Sequence, residues 1–145
     1  MKSLARNVGV TLLEIMLVLA IAAMVIVMSI RYYQQATQSQ QSNGVVQQIM
    51  AMGAAADNLA QGGGGSYSST AVGSANVKAI VGAANLTTPW GSAFTFASTA
   101  TTYTITVNLL PIPVCTAVAA KFTSNPKYTA SCVGGLVSVK YTTTA

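Results

Sequence analysis

Few side chains in this protein can do chemistry, and their types narrow what that chemistry is. The 145 residues hold no histidine, two carboxylates and two cysteines, against seven lysines and arginines. Residues 66–145 contain Lys78, Lys121, Lys127 and Lys140 and many serines, but no Asp or Glu. A Ser–Lys pair would be the only base-assisted nucleophile available there, and nothing in the spacing assembles one. An enzyme is therefore not expected. Neither is a cofactor or metal. Two cysteines without histidine cannot complete a tetrahedral zinc site, and calcium needs several oxygen ligands, usually with carboxylates among them. Cys115 and Cys132 read best as a disulfide, which implies an oxidising compartment; two separate buried thiols are the alternative.

The other chemically distinctive residue is Glu14. It lies in the run Gly9-Val10-Thr11-Leu12-Leu13-Glu14-Ile15-Met16-Leu17 and onward to Ile30, and no other ionisable side chain occurs between Arg6 and Arg31. A carboxylate in a membrane span costs roughly 2.5–3.5 kcal/mol on insertion scales, so a chain that keeps one is expected to have a partner for it.

The element that carries Glu14 is a long helix. Residues 10–30 as a helix measure about 31 Å, enough to cross a bilayer. Lys2 and Arg6 precede the run, and the positive-inside rule puts that side in the cytoplasm. A conventional signal peptide is one reading, with Ala20-Ile21-Ala22 as the cleavage pattern. It leaves Glu14 inside the apolar region and eight further residues of that region uninterrupted. A plain membrane anchor leaves Glu14 without a role.

Gly9-Val10-Thr11-Leu12-Leu13-Glu14 followed by an apolar helix resembles the class III leader of type IV pilins and related pseudopilins. The resemblance implies that residues 1–9 are a leader, cut between Gly9 and Val10 on the cytoplasmic side by a prepilin peptidase. It also implies that Val10 is then N-methylated. Glu14 becomes the fifth residue of the mature chain and pairs with the N-terminal amine of a neighbouring subunit in a helical filament. There are departures: the first mature residue is Val10 where the commonest subclass has Phe, the leader is short for the type IVb subclass, and no proline falls between residues 10 and 60.

Beyond the span, Arg31-Tyr32-Tyr33 mark a membrane interface. Val45, Ile49, Met52, Ala56 and Leu59 then form one apolar stripe of an amphipathic helix. One helix over 10–61 would be about 78 Å long, a length suited to a filament core. Gly44 and Gly53 weaken it by roughly 0.8–1.0 kcal/mol each relative to Ala. They are expected to allow close packing with the head, the alternative being a site of bending during assembly. The linker Gly62–Gly65 ends the helix.

Residues 66–145 form the head. Val77–Val81 read as a short helix, and Thr87–Gly91 as a turn. Ala93–Phe96 and Tyr103–Val107 read as a hairpin, Val114–Phe122 as a helix with Pro near its first turn, and Leu136–Tyr141 as a final strand. The fold class is α+β, a long N-terminal helix on a small antiparallel sheet. The order Pro89-Trp90-Gly91, hairpin, Pro111-Ile112-Pro113-Val114-Cys115 and a second cysteine before the last strand resembles the heads of type IVb pilins. There a disulfide bounds an exposed C-terminal region, here 115–132.

Only 6% of residues are charged and 52% are hydrophobic, a neutral surface suited to chains that pack against copies of themselves. Removing residues 1–9 takes Lys2 and Arg6 from the seven cations, and five less two carboxylates leaves +3. Four dispersed head lysines read as a solvated surface and not as a nucleic-acid site. The resemblance thus implies a structural subunit of a type IV pilus, held in the inner membrane as a precursor. Its partners would be further copies, the prepilin peptidase and an assembly platform, and its destination the bacterial cell surface. A type II secretion pseudopilin or a minor, DNA-binding pilin is the alternative.

Overall fold

The computed structural model describes residues 11–68, 70–82 and 86–142. The chain divides into two compact units, residues 1–37 and 38–145. Helix α1, Leu12–Gly62, runs through both. It starts within two residues of the expected position and ends one residue late, at Gly62, the first residue of the expected linker.

In the first unit every described residue before Thr37 is exposed. Among the described residues, α1 is the one helix long and apolar enough to cross a membrane. In the second unit α1 buries Val45, Ile49, Met52 and Ala56, four of the five residues of the apolar stripe. Leu59 is half-buried against the same core.

The head adds α2 (Ser74–Val81), β1 (Phe94–Ser98), β2 (Thr102–Val107), α3 (Ile112–Thr123), β3 (Tyr128–Val133) and β4 (Leu136–Thr142). The four strands form one antiparallel sheet in the order β1-β2-β4-β3. Its inner face carries Phe94, Phe96, Tyr103, Ile105, Val107, Val137 and Val139, all buried. The opposite face is a row of hydroxyls, Thr95 beside Thr106, Thr106 beside Ser138 and Ser138 beside Ser131. Strict alternation thus puts one face in the core and a neutral polar face in water.

The helix at Val77–Val81, the hairpin and the last strand fall where the sequence places them. Helix α3 starts earlier than expected, with Pro113 in its first turn, where a missing N–H leaves no bond unmade. One strand has no counterpart in the sequence reading. Tyr-Thr-Ala-Ser-Cys-Val at 128–133 forms β3, and its inward residues Tyr128, Ala130 and Cys132 are only half-buried. Two of these are small, so the alternation is weak. The signal that locates β3 is the turn after it. Gly134 and Gly135 have φ of 57° and 82° and join Val133 to Leu136 in a two-residue hairpin. That geometry needs positive φ at both positions, which Gly-Gly supplies.

The two helix glycines behave differently. A Cβ on Gly53 would lie 2.8 Å from Tyr103 Oη, so this glycine does permit close packing. A Cβ on Gly44 would meet nothing within 4 Å. The close-packing expectation is corrected there: Gly44 borders an open groove.

Candidate functional site

The first feature is the exposed start of α1. Fourteen Leu, Ile, Val and Met side chains between Leu12 and Ile30 are 49–79% exposed. They are distributed around the helix and do not form one stripe, which describes a helix meant for surroundings that are apolar on all sides. At roughly 1.5–3 kcal/mol per buried side chain, covering them is worth on the order of 20–40 kcal/mol. Tyr32 and Tyr33, 77% and 70% exposed, follow Arg31, the arrangement of a membrane-interface anchor.

Glu14 sits in the first turn of this helix and is exposed. Its N–H donates to the Thr11 carbonyl at 3.0 Å. A carboxylate at this position complements the positive end of the helix dipole. The next cation along α1 is Arg31, seventeen residues on, or about 25 Å away along the axis. The cation that would neutralise Glu14 in an apolar setting is therefore not Arg31 of the same helix. Gly9 and Val10, the expected cleavage and methylation site, lie outside the described residues.

The second feature is the braced end of the head. Cys115 and Cys132 form a disulfide, as expected, with Cα atoms 5.7 Å apart. It ties the start of α3 to the end of β3, the two ends farthest from the short 124–127 connection that joins these elements. Closing this loop stabilises the fold by about 3 kcal/mol in the chain-entropy model. We expect Cys132→Ser to lower head stability by about that amount while leaving membrane insertion intact, because insertion depends on residues 10–30. Denaturant titration of the membrane-extracted protein and carbonate extraction of membranes would measure the two effects separately.

The third feature was not visible in the sequence. Tyr67, Tyr103, Tyr141, Tyr128 and Phe122 form a continuous aromatic chain. Successive ring centroids are 5.4, 4.9, 5.3 and 5.6 Å apart. Phe96 stacks on Tyr103 at 5.7 Å. Tyr67 Oη donates to Asp57 Oδ1 at 2.6 Å, fastening the segment after the glycine run to the last turns of α1. The spacing of these residues in sequence, from 57 to 141, gives no periodicity from which the cluster could be found.

Burial pushes the Tyr67 hydroxyl well above its ordinary value of 10.0, and the hydrogen bond and charge of Asp57 push it further. Tyr103 is raised more strongly, first by burial and then by the neighbouring Tyr128 hydroxyl. The folded state therefore holds both protons more tightly than the unfolded chain. Their stabilising contribution is complete below pH 10 and is lost as pH rises beyond it. Denaturant midpoints between pH 8 and 11.5 should stay level to about pH 10 and then fall. In a spectrophotometric titration at native stability, Tyr67 and Tyr103 should remain un-ionised as the pH passes their ordinary value of 10.0.

The long apolar helix, the four-stranded antiparallel sheet and the disulfide are together compatible with a pilin-like fold. No protein-family model, curated protein or solved structure matches this chain.

Proposed function

We propose that the protein is the precursor of a type IV pilin, a structural subunit that polymerises by burying the first part of α1 among the same segments of other copies. The observation that carries this reading is the helix itself. It is 51 residues long, with one part fully exposed and apolar, one carboxylate in its first turn, and the other part buried in the head. A simple anchor needs the apolar part but has no use for Glu14. In a filament, the carboxylate gives neighbouring helices a unique register, because an unpaired buried charge is strongly disfavoured. The neutral, hydroxyl-rich head surface suits close packing of many identical subunits, which dense like charge would oppose.

Processing supplies the partner for Glu14. A cut between Gly9 and Val10 creates an α-amine four residues before the carboxylate, and in the filament the amine of one copy meets Glu14 of the next. Intact-mass and N-terminal analysis of filaments sheared from cells should find the chain starting at N-methyl-Val10. Gly9→Val should leave the full-length precursor in the membrane. A mature chain starting at Ala23, or filaments that lack this protein, would overturn the reading.

A further inference from the structure

The outer face of the sheet gathers polar groups around one charge. Lys140 lies on β4, with Thr104 of β2 opposite it on one side and Thr129 of β3 on the other. Ser138 and Thr142 precede and follow it on the same face of its own strand. Cross-strand side chains on one face stand about 4.5–5.5 Å apart at Cβ, and same-strand ones about 7 Å apart. Lys140 is therefore ringed by four hydroxyl side chains. Among the described residues nothing hydrogen-bonds those four hydroxyls or pairs with the Lys140 ammonium. By contrast Thr95 and Thr106, farther along the same face, hydrogen-bond each other.

Lys127 extends the patch. The Thr142 N–H donates to the Lys127 carbonyl at 3.3 Å, which brings Lys127 beside Thr142 and diagonal to Lys140 across the β3–β4 pair. Both lysines are exposed. Residues 58–145 contain no Asp or Glu. Asp57 is bonded to Tyr67, whose ring packs on Tyr103 of the inner face. The outer face is thus positive, with no Asp or Glu beside it. Edge strands commonly carry lysine to block pairing with another chain. However, β4 is an interior strand in the order β1-β2-β4-β3, so Lys140 has no edge to guard. Two cations separated in sequence become one site only through the sheet.

The surface selects among anions. Phosphate sites use guanidinium forks or converging backbone N–H groups. Residues 38–145 contain no arginine, and the N–H groups of β4 serve its two neighbouring strands. Single-stranded nucleic acid needs rings on which its bases stack. The aromatic residues of the four strands, Phe94, Phe96, Tyr103, Tyr128 and Tyr141, all belong to the inner face. The complement of an ammonium ringed by neutral hydroxyls is a carboxylate flanked by neutral hydroxyls, which describes a sugar acid. Its carboxylate accepts a charge-assisted bond from Lys140, and its hydroxyls donate to and accept from serine and threonine.

We propose that this face of the sheet binds an acidic polysaccharide built from carboxylated sugars. One carboxylate sits on Lys140, the hydroxyls of that sugar bond to Thr104, Thr129, Ser138 and Thr142, and a following carboxylate reaches Lys127. An open, four-stranded face admits an extended chain that continues past the site in both directions. The site is complete within one head. A few bonds to an open surface give weak binding, and its use on the cell surface rests on the filament reading above. There, repetition of the head along one polymer raises the avidity for a ligand that is itself a repeat.

The test uses the full chain in neutral phosphatidylcholine nanodiscs, titrated with a polymannuronate hexasaccharide and followed by amide chemical shifts. Shifts should concentrate in residues 102–106, 127–131 and 138–142. Lys140→Gln should weaken the association about tenfold, the effect of one charge-assisted hydrogen bond. Thr104→Val and Thr129→Val keep the branched shape a strand favours and remove one hydroxyl, and each should weaken it about threefold. Lys78→Gln, on α2, should change nothing. The uncharged mannohexaose should bind about tenfold more weakly than the uronate. Absence of shifts at millimolar sugar, shifts that fall elsewhere, or wild-type affinity in Lys140→Gln overturns the proposal. So does equal binding of mannohexaose, or tighter binding of polyphosphate or single-stranded DNA of equal charge. Wild-type affinity in both threonine variants overturns it too, since only unspecific charge attraction would remain. Sheared filaments that fail to retain the uronate overturn this site and leave the pilin reading standing. Binding by a chain that never forms filaments supports the site and overturns the pilin reading.

Discussion

Glu14→Leu should abolish filaments while leaving membrane insertion and leader cleavage intact. Insertion should be as good or better, since replacing the carboxylate removes a term of roughly 2.5–3.5 kcal/mol from the span. Cleavage should continue, since the Gly9–Val10 bond is unchanged. Assembly is where the loss falls. The α-amine of a neighbour would enter the apolar bundle without its counter-charge, and breaking a buried pair by removing one partner costs about 3–5 kcal/mol. Repeated at every subunit, this should reduce filament yield far more than tenfold, with mature subunits accumulating in the membrane. Glu14→Gln should behave like Leu in assembly, and Glu14→Asp should recover part of the yield because it keeps the charge. The measurement is sheared filament mass against membrane-bound mature subunit at equal expression. Wild-type yield from Glu14→Leu would show that the carboxylate has no essential partner.

Gly53→Leu should unfold the head. Even a single Cβ at this position would lie 2.8 Å from Tyr103 Oη and 3.7 Å from Tyr103 Cζ. Tyr103 cannot step aside: it is 1% exposed and packed between Tyr141, Tyr67 and Phe96. Overpacking a filled site costs typically ~1–3 kcal/mol, and a whole isobutyl group exceeds what one tilted ring can absorb. The gain in helix propensity, about 1 kcal/mol over glycine, does not offset it. Against a total stability of ~5–15 kcal/mol, a loss above 3 kcal/mol should be visible as a low thermal midpoint and rapid proteolysis. A paired experiment isolates the cause. Among the described residues none stands in hydrogen-bonding geometry to the Tyr103 hydroxyl, and the adjacent Tyr128 is only half-buried, so Tyr103→Phe removes the obstruction at little cost in lost hydrogen bonding. Gly53→Ala should destabilise the wild-type protein and stabilise the Tyr103→Phe protein. The same sign in both backgrounds would mean that the Gly53–Tyr103 contact is not what sets the cost.

Much of this protein was legible in the sequence because the determining interactions are local. An uninterrupted apolar run specifies a helix whatever the rest of the chain does. The stripe Val45, Ile49, Met52, Ala56 names its buried face by spacing alone. Phe94-Thr95-Phe96 and Tyr103-Thr104-Ile105-Thr106-Val107 alternate strongly enough to fix both strand and face. The chemistry of Glu14 and of the two cysteines follows from what the rest of the composition lacks. The fold class and the disulfide could be reached in the same way.

What only the tertiary structure decided depends on partners distant in sequence. Strand β3 is specified less by its own weak alternation than by pairing with β4 across Gly134–Gly135. Gly44 and Gly53 carry the same intrinsic helix penalty, and only the arrival of Tyr103, fifty residues later, makes one of them a packing requirement. The aromatic chain on Asp57 likewise assembles residues from separate elements. Local pattern determines which face of an element is apolar. Which residues meet across those faces is set by how volumes fill a close-packed core, a property of the folded chain and not of any one segment.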